Sequence, residues 1–152
     1  DDYEDLHQVI KKAYQHGILI IAAAGNQGTA DEDESTVEYP AAYPEVLSVG
    51  ATRIEGTKAD ISSSGDELGV VAPGDKRLTF GAFGGVFVQD GTSMAAAQVT
   101  GIAAVLWGQH PNETSEYIKG LLIGSANSSD TLKHCGNGMV DYDQAQQVQT
   151  VS

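Results

Sequence analysis

The chain has 152 residues, a formal net charge of −13, 41% hydrophobic residues and 18 glycines. That length makes a single domain over residues 1–152, with enough chain to bury a core. With 8 Lys and Arg against 21 Asp and Glu, no basic stripe is available for phosphates or an anionic bilayer, which argues against nucleic acid and membrane as partners.

In chain order, Asp1 or Asp2 can cap a first helix. Leu6, Val9, Ile10, Ala13 and Tyr14 share one face of it, and Gly17 ends it. Ile18 to Ala24 is an unbroken apolar run, which predicts a strand buried on both faces of a parallel sheet. It breaks at Gly25-Asn26-Gln27-Gly28. The acidic run Asp31 to Glu34 reads as a solvated loop tip, ahead of a calcium loop. Val46 to Thr52 and Leu68 to Ala72 are further buried strands, the latter ended by Pro73-Gly74, and Phe83 to Gln89 suits a hairpin arm or edge strand. From Ser93 to Gln109 small apolar residues occupy nearly every position, which predicts a helix buried on all sides. Pro111 stops it. Thr114 can cap a helix running to Ser125, and Asp141 or Asp143 can start a short last one.

A single cysteine, Cys135, cannot form a disulfide within the chain. No run is long enough to span a membrane, and no signal peptide opens the chain.

Two places suit chemistry. In open α/β sheets, ligands bind beyond the carboxyl ends of the strands, where Gly25-Asn26 falls. Asn26 can offer an amide donor there, or simply be a turn residue. Gly91-Thr92-Ser93 opens the long helix. A serine at a helix start is commonly an N-cap. The same place also serves a nucleophile, because the hydroxyl sits on a rigid element and free backbone N–H groups face outward.

Gly91-Thr92-Ser93-Met94-Ala95 resembles the nucleophile motif of the subtilisin-like serine proteases. Ala22-Ala23-Ala24-Gly25-Asn26 resembles their oxyanion-hole segment. Tyr39-Pro40, Tyr43-Pro44 and Val46 to Ala51 resemble the stretch that follows it. Val71-Ala72-Pro73-Gly74 and Gly138-Met139-Val140-Asp141 are similar to two further landmarks. All five occur in the family's order and at similar spacing, over nearly the whole chain. One departure is Ala96-Ala97-Gln98, where the family usually has Ser-Pro-His or Ala-Pro-x. Losing that proline makes the helix more regular.

The resemblance implies the C-terminal part of a doubly wound α/β sandwich with a mainly parallel sheet. It implies a serine endopeptidase in which Ser93 attacks the scissile carbonyl and Asn26 donates to the oxyanion. Ala23, Ala24, Gly25, Gln27, Glu38 and Thr92 would bind a polypeptide substrate. Glu38 stands where relatives often have glycine at the floor of the primary specificity pocket, and a carboxylate there would favour a basic side chain. Tyr39-Pro40 would be cis. No cofactor is required. The backbone carbonyls of Ala41, Tyr43 and Val46 match a family site for structural calcium or a monovalent cation. A secreted or extracytoplasmic location also follows from resemblance alone.

The family's base and orienting acid lie upstream, the histidine in a His-Gly-Thr-like motif. None of His7, His16, His110 and His134 sits in such a motif. The expectation is therefore a piece of a longer protease, inactive alone, whose partner is the N-terminal half of the same domain. Two alternatives are a pseudoprotease that binds or regulates, and a nucleotide-binding domain using Gly25 to Gly28 as a phosphate loop. The second lacks both GxGxxG spacing and a Walker lysine.

Overall fold

A computed structural model describes residues 2–28 and 35–148. The acidic run from Asp31 to Glu34 and the capping candidate Asp1 lie outside them. The elements are α1 (Glu4–Gln15), β1 (Ile20–Ala23), β2 (Val46–Thr52), β3 (Val70–Pro73), β4 (Arg77–Phe80), β5 (Val86–Gln89), α2 (Thr92–Gln109), α3 (Ser115–Gly124) and α4 (Tyr142–Gln147), with a 3-10 turn at Asp130–Leu132.

β1, β2 and β3 form a parallel sheet in that order. β2 is central and buried at every residue, as its unbroken VLSVGAT run requires. Side chains alternate across the sheet. Ile20, Ala22 and Val46 meet Ile10 of α1 on one face. Ile21, Leu47 and Val49 meet α2 on the other, where Ala95, Val99, Ala103 and Leu106 form the buried stripe. Helices on both faces of a parallel sheet make this a doubly wound α/β fold. α3 adds Ile118, Leu121 and Leu122 to the larger core. Thr114 caps α3 by accepting the Tyr117 N–H at 3.2 Å, and Asp141 caps α4 by accepting the Gln144 N–H at 2.8 Å. Among the described residues no helix is long and apolar enough to cross a membrane.

Three expectations are corrected. β1 covers only Ile20–Ala23 and is half-buried throughout, because it is the edge of the sheet. α2 is buried along one stripe only, and Ala97, Ala104 and Val105 are exposed. An apolar face does not by itself find cover, and no described element packs over this one. In α1 only Ile10 is buried, while Leu6 and Val9 stay exposed. Its N-cap is Tyr3 without a side-chain bond, because the Asp2 carboxylate accepts the Tyr43 hydroxyl at 2.8 Å instead. The hairpin arm expected within Phe83 to Gln89 is present as β5, which pairs with β4 in a two-stranded antiparallel hairpin.

Leu106 is fully buried between the sheet and α3. Leu106→Ala is expected to cost about 2–5 kcal/mol, read in the full-length protein as a lower urea midpoint at unchanged slope.

Candidate active site

β1 points its carboxyl end at the start of α2, and the two segments are joined by three hydrogen bonds. The Thr92 backbone N–H donates to Asn26 Oδ1 at 3.0 Å, the Thr92 hydroxyl donates to the same oxygen at 3.1 Å, and the Gly25 N–H donates to Thr92 Oγ1 at 3.2 Å. Thr92 is buried at 1% exposure, whereas Asn26 and Ser93 are exposed. With Oδ1 held by two donors, the amide has one orientation, and its NH₂ is left for something else.

Gly91, the N-cap of α2, has φ +149, a region that favours glycine. A side chain there would come within 3.6 Å of Asn26 Nδ2. Gly91 is tied by its N–H to the Gly74 carbonyl at 2.9 Å. Helix α2 starts at Thr92, one residue before the expected start, so Ser93 is its second residue. The N–H groups of this first turn have no helical acceptor, and the positive end of the helix dipole favours developing negative charge. The Ser93 hydroxyl has no hydrogen-bond partner among the described residues.

Gly25 has φ +112. A Cβ on it would lie 2.6 Å from Glu38 Oε2 and 2.9 Å from Glu38 Cδ, so the carboxylate rests on the Gly25 Cα. Glu38 is exposed. Ser63 closes the other side, its N–H donating to the Gly25 carbonyl at 3.0 Å and its Oγ accepting the Gln27 N–H at 3.2 Å. Ser62 supports this loop by accepting the Ala51 N–H at 2.8 Å.

Ser93, Asn26, Gly25, Thr92 and Glu38 therefore form one constellation. Gln27 is an exposed neighbour and Ala23 a half-buried strand residue. Ala24 is fully buried against Leu68, Val71 and Cys135, so its side chain faces the core, and its carbonyl accepts the Glu38 N–H at 2.8 Å. Thr92 reaches Asn26 with its hydroxyl. The buried serines Ser62 and Ser63 were not anticipated, because no spacing distinguishes a serine that clamps a loop from a solvated one.

Ala41, Tyr43 and Val46 lie in a separate turn after the Tyr39-Pro40 bond, which is cis. The Val46 N–H donates to the Tyr43 carbonyl at 3.0 Å. A cavity of about 310 Å³ there is lined by Tyr43, Val46, Asp66, Glu67 and Lys119, among others. Lys119 Nζ donates to the Pro44 carbonyl at 3.4 Å. Carbonyl and carboxylate oxygens are the donors a hard cation takes; of the three residues, Tyr43 and Val46 line this cavity and Ala41 does not. Among the described residues, no group of three or more His, Cys, Asp or Glu side chains could hold a metal.

The histidines serve elsewhere. His7 Nε2 pairs with Glu45 at 2.9 Å and its ring stacks on Tyr43 at 3.9 Å. Burial raises the Glu45 carboxyl, but the His7 hydrogen bond and the other favourable contacts outweigh it and leave the carboxyl below its ordinary value. His16 Nδ1 lies 2.7 Å from the Lys12 carbonyl. His110 caps the far end of α2, roughly 25 Å along the helix from Ser93. His134 has φ +57 in the loop before α4.

A serine hydroxyl at a helix start thus stands beside an oriented amide at the carboxyl end of a parallel sheet. Residues 1–138 match the Subtilase family, and the chain belongs to that family of subtilisin-like serine proteases. It is 37% identical over 145 residues to Subtilisin E of Bacillus subtilis (strain 168), covering 93% of this chain and 37% of that protein. It superposes on the prenylagaramide maturation protease PagA with a TM-score of 0.84 at 29% identity, over 97% of this chain and 56% of that one. It superposes on the PatG macrocyclase in complex with peptide with a TM-score of 0.83 at 31% identity, over 96% of this chain and 48% of that one. The chain thus spans from about a third to just over half of these relatives.

Proposed function

We propose that the chain is the nucleophile-bearing part of a serine endopeptidase that hydrolyses peptide bonds through an acyl-enzyme on Ser93. The observation that carries this reading is the double hold on Asn26 Oδ1 by Thr92, which turns the amide NH₂ outward beside the start of α2. Ser93 Oγ attacks the scissile carbonyl carbon and its proton passes to a base. The negative oxygen that forms lies between Asn26 Nδ2 and the Ser93 N–H. Collapse expels the amine, and water then attacks the ester in the same geometry. Gly25, Gln27 and the backbone at Ala23 and Ala24 form one wall of the substrate cleft. No cofactor enters these steps.

The base and its orienting acid come from an N-terminal segment outside this sequence, which packs on the open side of the fold. The exposed face of α2 supports this. A cavity of about 470 Å³ there is lined by Gln98, Gly101, Ile102, Val105 and Tyr142. Among the described residues the outer edge of β1 is unpaired, which supports it too, since an unpaired strand edge needs cover.

A fluorophosphonate probe applied to the full-length parent protein tests the reading. The expected result is one adduct, on Ser93. An intact parent that forms no adduct would count against the enzyme and favour a binding protein on the same fold.

The turn at Ala41, Tyr43 and Val46 holds a structural calcium or monovalent cation in this reading. Millimolar calcium is then expected to raise the melting temperature of the chelator-treated parent, by a few degrees. An unchanged melting temperature with calcium, sodium or potassium would remove the site.

A further inference from the structure

We infer that Ser63 is a positioning residue of the reaction, an inference that rests on the protease reading above: it holds the main chain on both sides of Asn26 and so fixes where that amide points. Ser63 is fully buried. Its N–H donates to the Gly25 carbonyl at 3.0 Å, and its Oγ accepts the Gln27 N–H at 3.2 Å. One residue therefore binds the chain immediately before Asn26 and immediately after it. A further bond continues the pairing, from the Gly28 N–H to the Ile61 carbonyl at 3.0 Å. The two segments lie so close that a Cβ on Gly28 would run into the Asp60 and Ser62 carbonyls.

The support reaches Ser63 from the sheet. Its neighbour Ser62, also fully buried, accepts the Ala51 N–H of β2 at 2.8 Å and donates to the Ser63 carbonyl at 3.1 Å. Its other neighbour, Ser64, exchanges two bonds with Thr36. The Thr36 N–H donates to the Ser64 carbonyl at 2.9 Å, and the Ser64 N–H donates to Thr36 Oγ1 at 3.1 Å. Ser63 is thus anchored on both sides, while Asn26 is exposed. An exposed residue is not fixed by packing, so its place depends on such bonds.

Asn26 needs two kinds of hold. Thr92 fixes the side chain by its grip on Oδ1, and Ser63 fixes the backbone from which that side chain grows. The two act on different atoms and come from different elements, α2 and the loop between β2 and β3. The turn needs the second hold because Gly25 has φ +112, and a glycine resists rotation less than any other residue. Without the Ser63 hydroxyl the Gln27 N–H loses its acceptor, and the Asn26–Gln27 peptide can swing about Gly25. A donor must stay within roughly 0.5 Å of its productive place to meet a developing charge. The loss is therefore felt chiefly in kcat and not in binding.

The test uses the full-length parent. Ser63→Ala is expected to lower kcat by about threefold to tenfold, with KM moving little. Ser63→Thr keeps the acceptor and should retain most of the rate. On the Asn26→Leu background Ser63→Ala should cost almost nothing further in kcat, because the amide it aims is already gone. Ser125→Ala is the control. That serine is also buried, but its hydroxyl donates to the Leu121 carbonyl at 2.6 Å at the end of α3, so its loss should lower the melting temperature and leave kcat unchanged. Melting curves show that each variant is folded under assay. Should Ser63→Ala unfold, Ser63→Cys, with only a weak acceptor, carries the same comparison. A folded Ser63 variant with wild-type kcat, or one that costs as much without the Asn26 amide as with it, overturns the role of Ser63 alone. A folded parent that neither labels with the fluorophosphonate nor cleaves any peptide overturns the protease reading itself.

Discussion

Ser93→Ala in the full-length parent is expected to abolish fluorophosphonate labelling and to lower kcat by a factor on the order of 10⁶, a figure that belongs to the serine of a subtilisin and is carried over from the family. The reason lies in where Ser93 stands. It is the second residue of α2, exposed, and anchored through Gly91 to Gly74 and through Thr92 to Asn26 and Gly25. Removing one oxygen from this frame disturbs no buried contact. The variant should therefore keep the wild-type melting temperature and still bind substrate, so KM should move little while kcat collapses. A variant that retained more than about a thousandth of the activity would place the nucleophile elsewhere, because surrounding donors and binding alone supply only a small part of the rate. Lost activity with a matching loss of stability would instead mark Ser93 as a structural residue.

Much of this frame was readable from residues in order. VLSVGAT reads as a buried-strand candidate because its apolar run carries no charged residue, and β2 is the fully buried strand among the described residues. Thr114 and Asp141 announced helix starts because a side-chain oxygen before an apolar segment has unpaired N–H groups to accept from. The errors share one physical origin. Burial is a property of neighbours, and apolar composition reports only what a segment needs. ILIIAAA and the α2 run both ask for cover on every side, yet β1 is half-buried and Val105 of α2 is 50% exposed. In the proposed enzyme that cover is the N-terminal half, so these two mismatches and the absent base describe the same missing surface. β4 escaped notice for another reason. Its burial alternates weakly, and its pairing with β5 depends on a turn over Gly81 to Gly85 that leaves Phe83 fully exposed. The site was legible as two motifs far apart in sequence, but the bonds that join them were not. That Thr92 would grip Asn26 rather than face a substrate depends on which way a buried hydroxyl turns, and no spacing encodes that.

That grip leads to a second large effect. Asn26→Leu is expected to lower kcat by about 10² to 10³ with little change in KM, a range that comes from the equivalent loss in a subtilisin. The amide meets charge that exists only as the carbonyl is attacked, so its removal is felt in the transition state and not in binding. Thr92 acts through Asn26 and is a positioning residue. Its two bonds to Oδ1 have lengths of 3.0 and 3.1 Å, and Thr92→Val removes the one from the hydroxyl while the backbone N–H remains. The amide would then be held by a single donor and could rotate, at a cost on the order of tenfold in kcat. Thr92→Ser keeps the hydroxyl and should recover most of the rate. The decisive comparison is the double variant. If Thr92 works by aiming the Asn26 amide, Thr92→Val on the Asn26→Leu background should cost almost nothing further in kcat, because the group it aims is already gone. Full additivity would show that Thr92 serves the reaction independently of Asn26. A purely structural role would appear instead as a lower melting temperature in both backgrounds, with kcat of the remaining folded enzyme unchanged.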